Sequence, residues 1–280
     1  YPKTFLTVNA ALKACKKEGI KEIIATAWGD NGAETNIFSG LLGLQLYAEH
    51  GYSYELDMEK LKKRFKFCTN GDYDSFVDIS NMDKLPGKDD DPDNIFNPSK
   101  YMLWQDILMG LFDKDLEGID IYNHYSKLEE NMKRHASLNK EWKDIFYVQQ
   151  KLCAVLKSKG DIGNRIKKYY DKKDITSLDD IANKELPELY KRVNDLKAAH
   201  RDQWFKTYKP FGWEVLDIRY GGVLARIETA ILRINDYVEG KIDRIEELEE
   251  ERLYFDGMKE KDLDLPVCTQ YNRIATSSLI

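Results

Sequence analysis

The sequence predicts a mainly α protein, a helical bundle over residues 52–280 preceded by one strand-loop-helix unit within residues 1–51. Three observations carry this prediction. Beyond residue 57 apolar side chains recur at helical spacing, about every 3.6 positions, which gives each helix a buried face. A short apolar run, Ile23 to Ala27, ends in a polar, glycine-bearing turn and reads as a strand, and beyond Gly51 strand signals largely stop. Asn, Asp, Pro and Gly interrupt the helical pattern at uneven intervals, so no repeat length emerges and a bundle is predicted in place of a solenoid.

Taken in order, residues 3–18 place Phe5, Leu6, Val8, Leu12 and Cys15 at mostly helical spacing and stop at Gly19, where a left-handed cap fits. The strand occupies 22–27, and its loop carries Trp28, Asp30, Asn31 and Glu34. A helix over 36–50, capped by Asn36 or Thr35, is apolar on more than one face and is expected to be largely buried. Residues 57–68 form a basic amphipathic helix with Leu61, Phe65 and Cys68 inward, and 72–79 a short helix with an acidic first turn. The segment 80–98, with Pro86, Gly87, three consecutive aspartates and Pro92, reads as a loop. It lacks the Gly and Glu offsets of a calcium-binding EF-hand.

Asn97-Pro98 opens an aromatic-rich inner helix that runs to Phe112 and carries Trp104 and Asp106. Amphipathic helices follow over 119–137, 140–159, 162–171, 178–182 and 186–208, with Thr176 or Ser177 as a cap and Pro187 in a first turn, where its missing N–H is harmless. The last long helix, 213–238, repeats Arg219, Arg226 and Arg233 every seven residues beside its apolar stripe. Arg219 and Arg226 have the charge to bind an anion, but the preferred reading is pairing with bundle carboxylates such as Asp217 or Glu228, and Gly221-Gly222 predicts the close approach of another backbone. Residues 242–254 end the helices with an acidic face. The apolar tail 263–280 is expected to be tied down against a domain surface.

A net charge of −6 provides no basic excess to displace counterions from phosphates, which argues against nucleic-acid binding. Cys15, Cys68, Cys153 and Cys268 lie far apart without a CxxC and read as free thiols, so a reducing, cytoplasmic compartment fits best. The four histidines form no zinc-type pair, and no cofactor or metal site is predicted. No segment has the length of a membrane span. The start, Tyr-Pro-Lys-Thr, has neither an initiator Met nor a signal pattern, and with the lone strand it predicts a piece of a longer protein, on whose remainder a secretion signal is not excluded.

The loop after the strand is where chemistry is expected, because a strand fixes the base of a βα loop while its tip stays open to ligand. An aromatic face beside two carboxylates and an amide suits a sugar, whose C–H patches stack on the indole while its hydroxyls bond the acids. The competing reading makes Trp28 a core residue and Asp30-Asn31-Gly32 an ordinary turn.

Residues 28–34, Trp-Gly-Asp-Asn-Gly-Ala-Glu, preceded by Ile-Ile-Ala-Thr-Ala, resemble the end of the last barrel strand in family 20 glycoside hydrolases, the β-N-acetylhexosaminidases. The likeness is to the bacterial exo-β-N-acetylglucosaminidase branch, whose barrel is followed by a large helical domain. Residues 97–106, Asn-Pro-Ser-Lys-Tyr-Met-Leu-Trp-Gln-Asp, and 212–222, Gly-Trp-Glu-Val-Leu-Asp-Ile-Arg-Tyr-Gly-Gly, resemble the same branch. The resemblance implies that residues 1–51 are the terminal βα unit of a (β/α)8 barrel and that 52–280 are the helical C-terminal domain with an extended tail. It implies removal of terminal β-linked N-acetylhexosamine, GlcNAc or GalNAc, by substrate-assisted retaining catalysis, with the catalytic Asp-Glu pair on an earlier strand outside this chain. Trp28 would floor the sugar subsite, with Asp30, Asn31 and Glu34 beside it. Many members carry Trp-x-Glu where this chain has Trp28-Gly29-Asp30, so either Asp30 or Glu34 takes the hydroxyls. The implied partners are N-acetylhexosamine-containing glycans and the missing N-terminal barrel portion, with a homodimer compatible and neither membrane nor nucleic acid among them. The alternative is a non-catalytic helical interaction protein, which gains if strand 22–27 pairs with nothing.

Overall fold

A computed structural model describes residues 1–29, 32–86, 97–110, 113–253 and 276–277. Its helices are α1 (Pro2–Lys17), α2 (Leu41–Tyr52), α3 (Met58–Thr69), α4 (Tyr73–Asp78), α5 (Pro98–Trp104) and α6 (Ile121–Leu138). They continue as α7 (Lys143–Lys159), α8 (Ile162–Asp171), α9 (Ile175–Asp180), α10 (Leu186–Thr207), α11 (Trp213–Val238) and α12 (Glu246–Glu249). The bundle is built on α6, α7, α10 and α11, each packed on the next, and short connections make α6 and α7, and α10 and α11, antiparallel neighbours. Their stripes meet in one core that includes Tyr125, Phe146, Leu156, Leu189, Leu216 and Ile227. The helices α2 to α5 lay Leu46, Phe65, Phe76 and Trp104 onto the same core.

Local chemistry explains most boundaries. Gly19 takes φ +72° just beyond α1, the left-handed stop the sequence predicts. Asn36 caps the 3₁₀ turn Ile37–Gly40 that leads into α2, its Oδ1 accepting from the Phe38 N–H at 3.0 Å. Asp174, and not Thr176 or Ser177, caps α9, because its carboxylate takes both the Ser177 N–H and the Ser177 hydroxyl. A π-helical turn, Ile181–Glu185, joins α9 to α10 just ahead of Pro187. The widened turn accommodates a residue that has no N–H and whose ring crowds the preceding turn.

Several expectations are corrected. Among the described residues there is no strand, and 20–29 has no regular secondary structure. A strand exists only by pairing, and no second extended segment is present among those residues to pair with it. The inner helix from Pro98 stops at Trp104 and does not reach Phe112, because the buried Lys159 ammonium donates to the Met102 and Gln105 carbonyls, at 2.8 and 2.6 Å, and occupies the helix end. Beyond it the Asp106 carboxylate takes the Leu108 and Met109 N–H groups and turns the chain. Leu111 and Phe112 lie outside the described residues, as do Gly87, the aspartate run, Pro92, Cys268 and most of the tail. Cys68 is exposed, not inward. The arginines of α11 pair with carboxylates, but with those of distant segments and not with Asp217 or Glu228. No helix is long and apolar enough to cross a membrane among the described residues.

Candidate functional site

Between the N-terminal segment and the bundle lies a cleft of about 500 Å³ whose walls include Trp28, Glu34, Asp83, Lys100, Trp104 and His200. Two of the four sequence-predicted site residues, Trp28 and Glu34, are thus brought to one cleft. Asp30 and Asn31 lie outside the described residues. Trp28 is 79% exposed and takes no part in the core of the described residues, and its indole N–H donates to Thr26 Oγ1 at 3.0 Å.

Glu34 is held differently. Its carboxylate accepts from the Arg219 guanidinium of α11 and lies 3.4 Å from the Lys100 ammonium of α5. Arg219 is only 2% exposed, and the approach of its side chain explains Gly32, where a Cβ would sit 2.5 Å from Nη1 and where φ is +95°. His200 Nδ1 lies 3.0 Å from the Tyr220 hydroxyl, and the Glu34 main chain lies beside the imidazole. Burial pushes His200 down to about 4, against the Glu34 main chain, which favours its charged form, so the ring is neutral near pH 7. Burial pushes the Tyr220 hydroxyl well up, helped by the Glu34 charge.

The opposite wall is also polar. Asp83 is held up by burial although the Ser99 hydroxyl donates to it. The buried Trp104 indole N–H has no hydrogen-bond partner among the described residues, against the expectation that such a group finds one. An exposed aromatic face, a carboxylate fixed between two cations and a buried carboxyl around one cleft can bind a neutral polyol. Among the described residues no group of His, Cys, Asp and Glu is placed to hold a metal ion.

Two buried polar clusters escaped the sequence reading. In one, His135 joins Ser75 Oγ at Nδ1, 2.9 Å, and Asp78 Oδ2 at Nε2, 2.8 Å. The trio has the members of a nucleophile relay, but Ser75 is fully buried, so no substrate reaches it and the cluster ties α4 to α6. In the other, Lys159 is pushed down to about 8 by burial and Asp113 up to about 6 by burial, beside the Asp106–Arg226 pair. Its members are separated by up to 120 residues, so periodicity carries no signal of their meeting.

No curated protein matches the sequence. A family model described as the Glycoside Hydrolase 20C C-terminal domain matches residues 74–266, well over half of the chain.

Proposed function

Because the chain belongs to the glycoside hydrolase 20C C-terminal domain family, we propose that it is the C-terminal portion of an exo-acting glycosidase that removes terminal β-linked N-acetylhexosamine. In this reading the substrate's own acetamido oxygen attacks the anomeric carbon. A carboxylic acid protonates the leaving oxygen and a neighbouring carboxylate orients the acetamide, both supplied by barrel strands outside these 280 residues. This chain contributes the far wall of the sugar subsite. Trp28 presents an apolar face to the ring, and Asp30 or Glu34 holds its hydroxyls.

The observation that carries the reading is the placement of an exposed indole and a doubly ion-paired carboxylate on one cleft of about 500 Å³, inside the roughly 300–1,000 Å³ of small-ligand sites. The unpaired segment 20–29 supports a second reading, a helical interaction protein. The same segment, with Ile24 86% exposed, is also what a barrel strand without its neighbours presents.

Trp28→Ala in the complete enzyme tests the site. If the ring distorts onto the indole, kcat/KM on a chromogenic β-GlcNAc substrate falls by about 2–4 kcal/mol, roughly 30- to 1,000-fold. The melting temperature of the 280-residue chain should hardly move on the same substitution, because Trp28 is exposed in it. A fully active Trp28→Ala enzyme sinks the assignment. Asp30→Asn and Glu34→Gln, measured in the same assay, identify by the larger loss which acid bears the hydroxyls.

A further inference from the structure

The loop that carries the candidate site is gripped from the bundle at three points. Arg219 of α11 holds the Glu34 carboxylate. The Thr207 hydroxyl accepts from the Asn36 side chain at 3.0 Å, and the Tyr208 hydroxyl accepts the Ile37 N–H at 2.6 Å. Just ahead of these grips Gly32 and Ala33 both take positive φ, +95° and +49°. Ala rarely adopts that conformation, and it persists where the surroundings fix it. None of the three gripping residues lies in the N-terminal unit. All come from a stretch of α10, the following turn and the start of α11.

We infer that Arg219 is a positioning residue, through which the helical bundle fixes Glu34, and the loop behind Trp28, in the geometry the sugar site needs. The inference rests on the reading of the cleft as a sugar subsite for its consequence, but the clamp itself does not. A carboxylate on a free loop samples many orientations, and misplacement by an ångström is enough to cost much of a transition-state contact. The buried Arg219 removes the rotamer freedom of the Glu34 side chain, and the grips at Asn36 and Ile37 remove the backbone freedom just after it. Arg219 and Lys100 together balance the carboxylate's charge.

Hydrogen exchange on the 280-residue chain tests the clamp directly. The amides of Ala33, Ile37, Phe38 and Ser39 are hydrogen-bonded within or beside the loop and report on it. Arg219→Met should speed their exchange by about tenfold or more while α6 and α7 keep their protection. Unchanged exchange at these amides overturns the clamp. If Arg219→Met does not fold, Thr207→Val decides, since Thr207 is only half-buried: faster exchange at Ile37 supports the clamp and unchanged exchange overturns it. The consequence for the site is read from a double-mutant cycle in the complete enzyme. Arg219→Met should lower kcat/KM on a β-GlcNAc substrate by about 10- to 100-fold with Glu34 present, and by less than about threefold in a Glu34→Gln background. Arg219→Lys should recover part of the loss. Equal losses in both backgrounds mean that Arg219 supports the fold and does not act through Glu34. If Trp28→Ala and Glu34→Gln are both fully active, the sugar reading fails, while the exchange result still judges the clamp.

Discussion

His200 and Asp113, both buried, bend the stability of the protein with pH in opposite directions. Burial, partly offset by Arg252 and Lys159, pushes Asp113 up to about 6 from 3.8. Between those values the folded chain binds more protons than the unfolded one, so this residue makes stability fall as pH rises through the window. His200, pushed down to about 4 from 6.5, does the reverse: the unfolded chain binds more protons between those values, so stability is lost as pH falls through them. Each shift of about two units corresponds to roughly 3 kcal/mol, and the two nearly cancel over most of pH 4–6.5. Asp113→Asn should therefore lose stability on acidification more steeply than the parent, and His200→Gln less steeply. Urea midpoints at pH 4.2 and 6.5 check this, and equal pH differences in all three proteins would count against the assignment. Glu34 shows the limit of residue-level reading. Its place in a loop with Trp28 was legible, but its partners lie as many as 185 residues away.

The element that organises the molecule is α11. Its arginines, seven residues apart on one face, each reach a different segment: Arg219 the loop at Glu34, Arg226 the turn at Asp106, and Arg233 the acids Glu246 and Glu247 of α12. Their periodicity announced a common face, and the bundle determined which acids meet it. The adjacent glycines of the same helix part company. A Cβ on Gly221 meets nothing within 4 Å, whereas on Gly222 it would lie 2.8 Å from Ser277 Cβ. The predicted close approach is thus confined to Gly222, and it is made by a residue of the tail. Gly221→Ala should stabilise the protein by about 0.5–1 kcal/mol through helix propensity. Gly222→Ala must displace Ser277 and should be destabilising by about 1–3 kcal/mol. Thermal melts of the two variants should move in opposite directions, and a common direction would contradict this packing.

At the scale of the whole molecule, the helices share one core, to which the N-terminal unit adds Leu42 and Leu46. Residues 20–29 instead leave Ile20, Ile23, Ile24 and Trp28 exposed, an apolar stretch with no strand neighbour among the described residues. The proposed glycosidase accordingly predicts that the 280-residue chain alone does not turn over a chromogenic β-GlcNAc substrate. Turnover by the purified chain, blocked by a thiazoline that mimics the cyclised substrate, would relocate the acid to this chain. Ile24→Lys separates the two readings of the segment. Because Ile24 is exposed, the substitution should leave the melting temperature of the chain within error. In the complete enzyme the same change buries a charge in a sheet and should destabilise it strongly. An indifferent complete enzyme would favour the interaction reading.

The sequence by itself determined the helical class, most helix positions and the loop in which Trp28 and Glu34 stand together, because periodicity, caps and turn residues act over a few neighbouring positions. It predicted a strand at 22–27 that the described residues do not form, because pairing belongs to the sheet and not to the segment. Tertiary structure alone decided that α5 ends where Lys159 takes its carbonyls, that Glu34 rests between Arg219 and Lys100, and that His200 stays neutral. Each of these depends on charges and hydrogen-bonding groups that the bundle brings together from distant segments, where burial sets their strength and local pattern carries no record of the meeting.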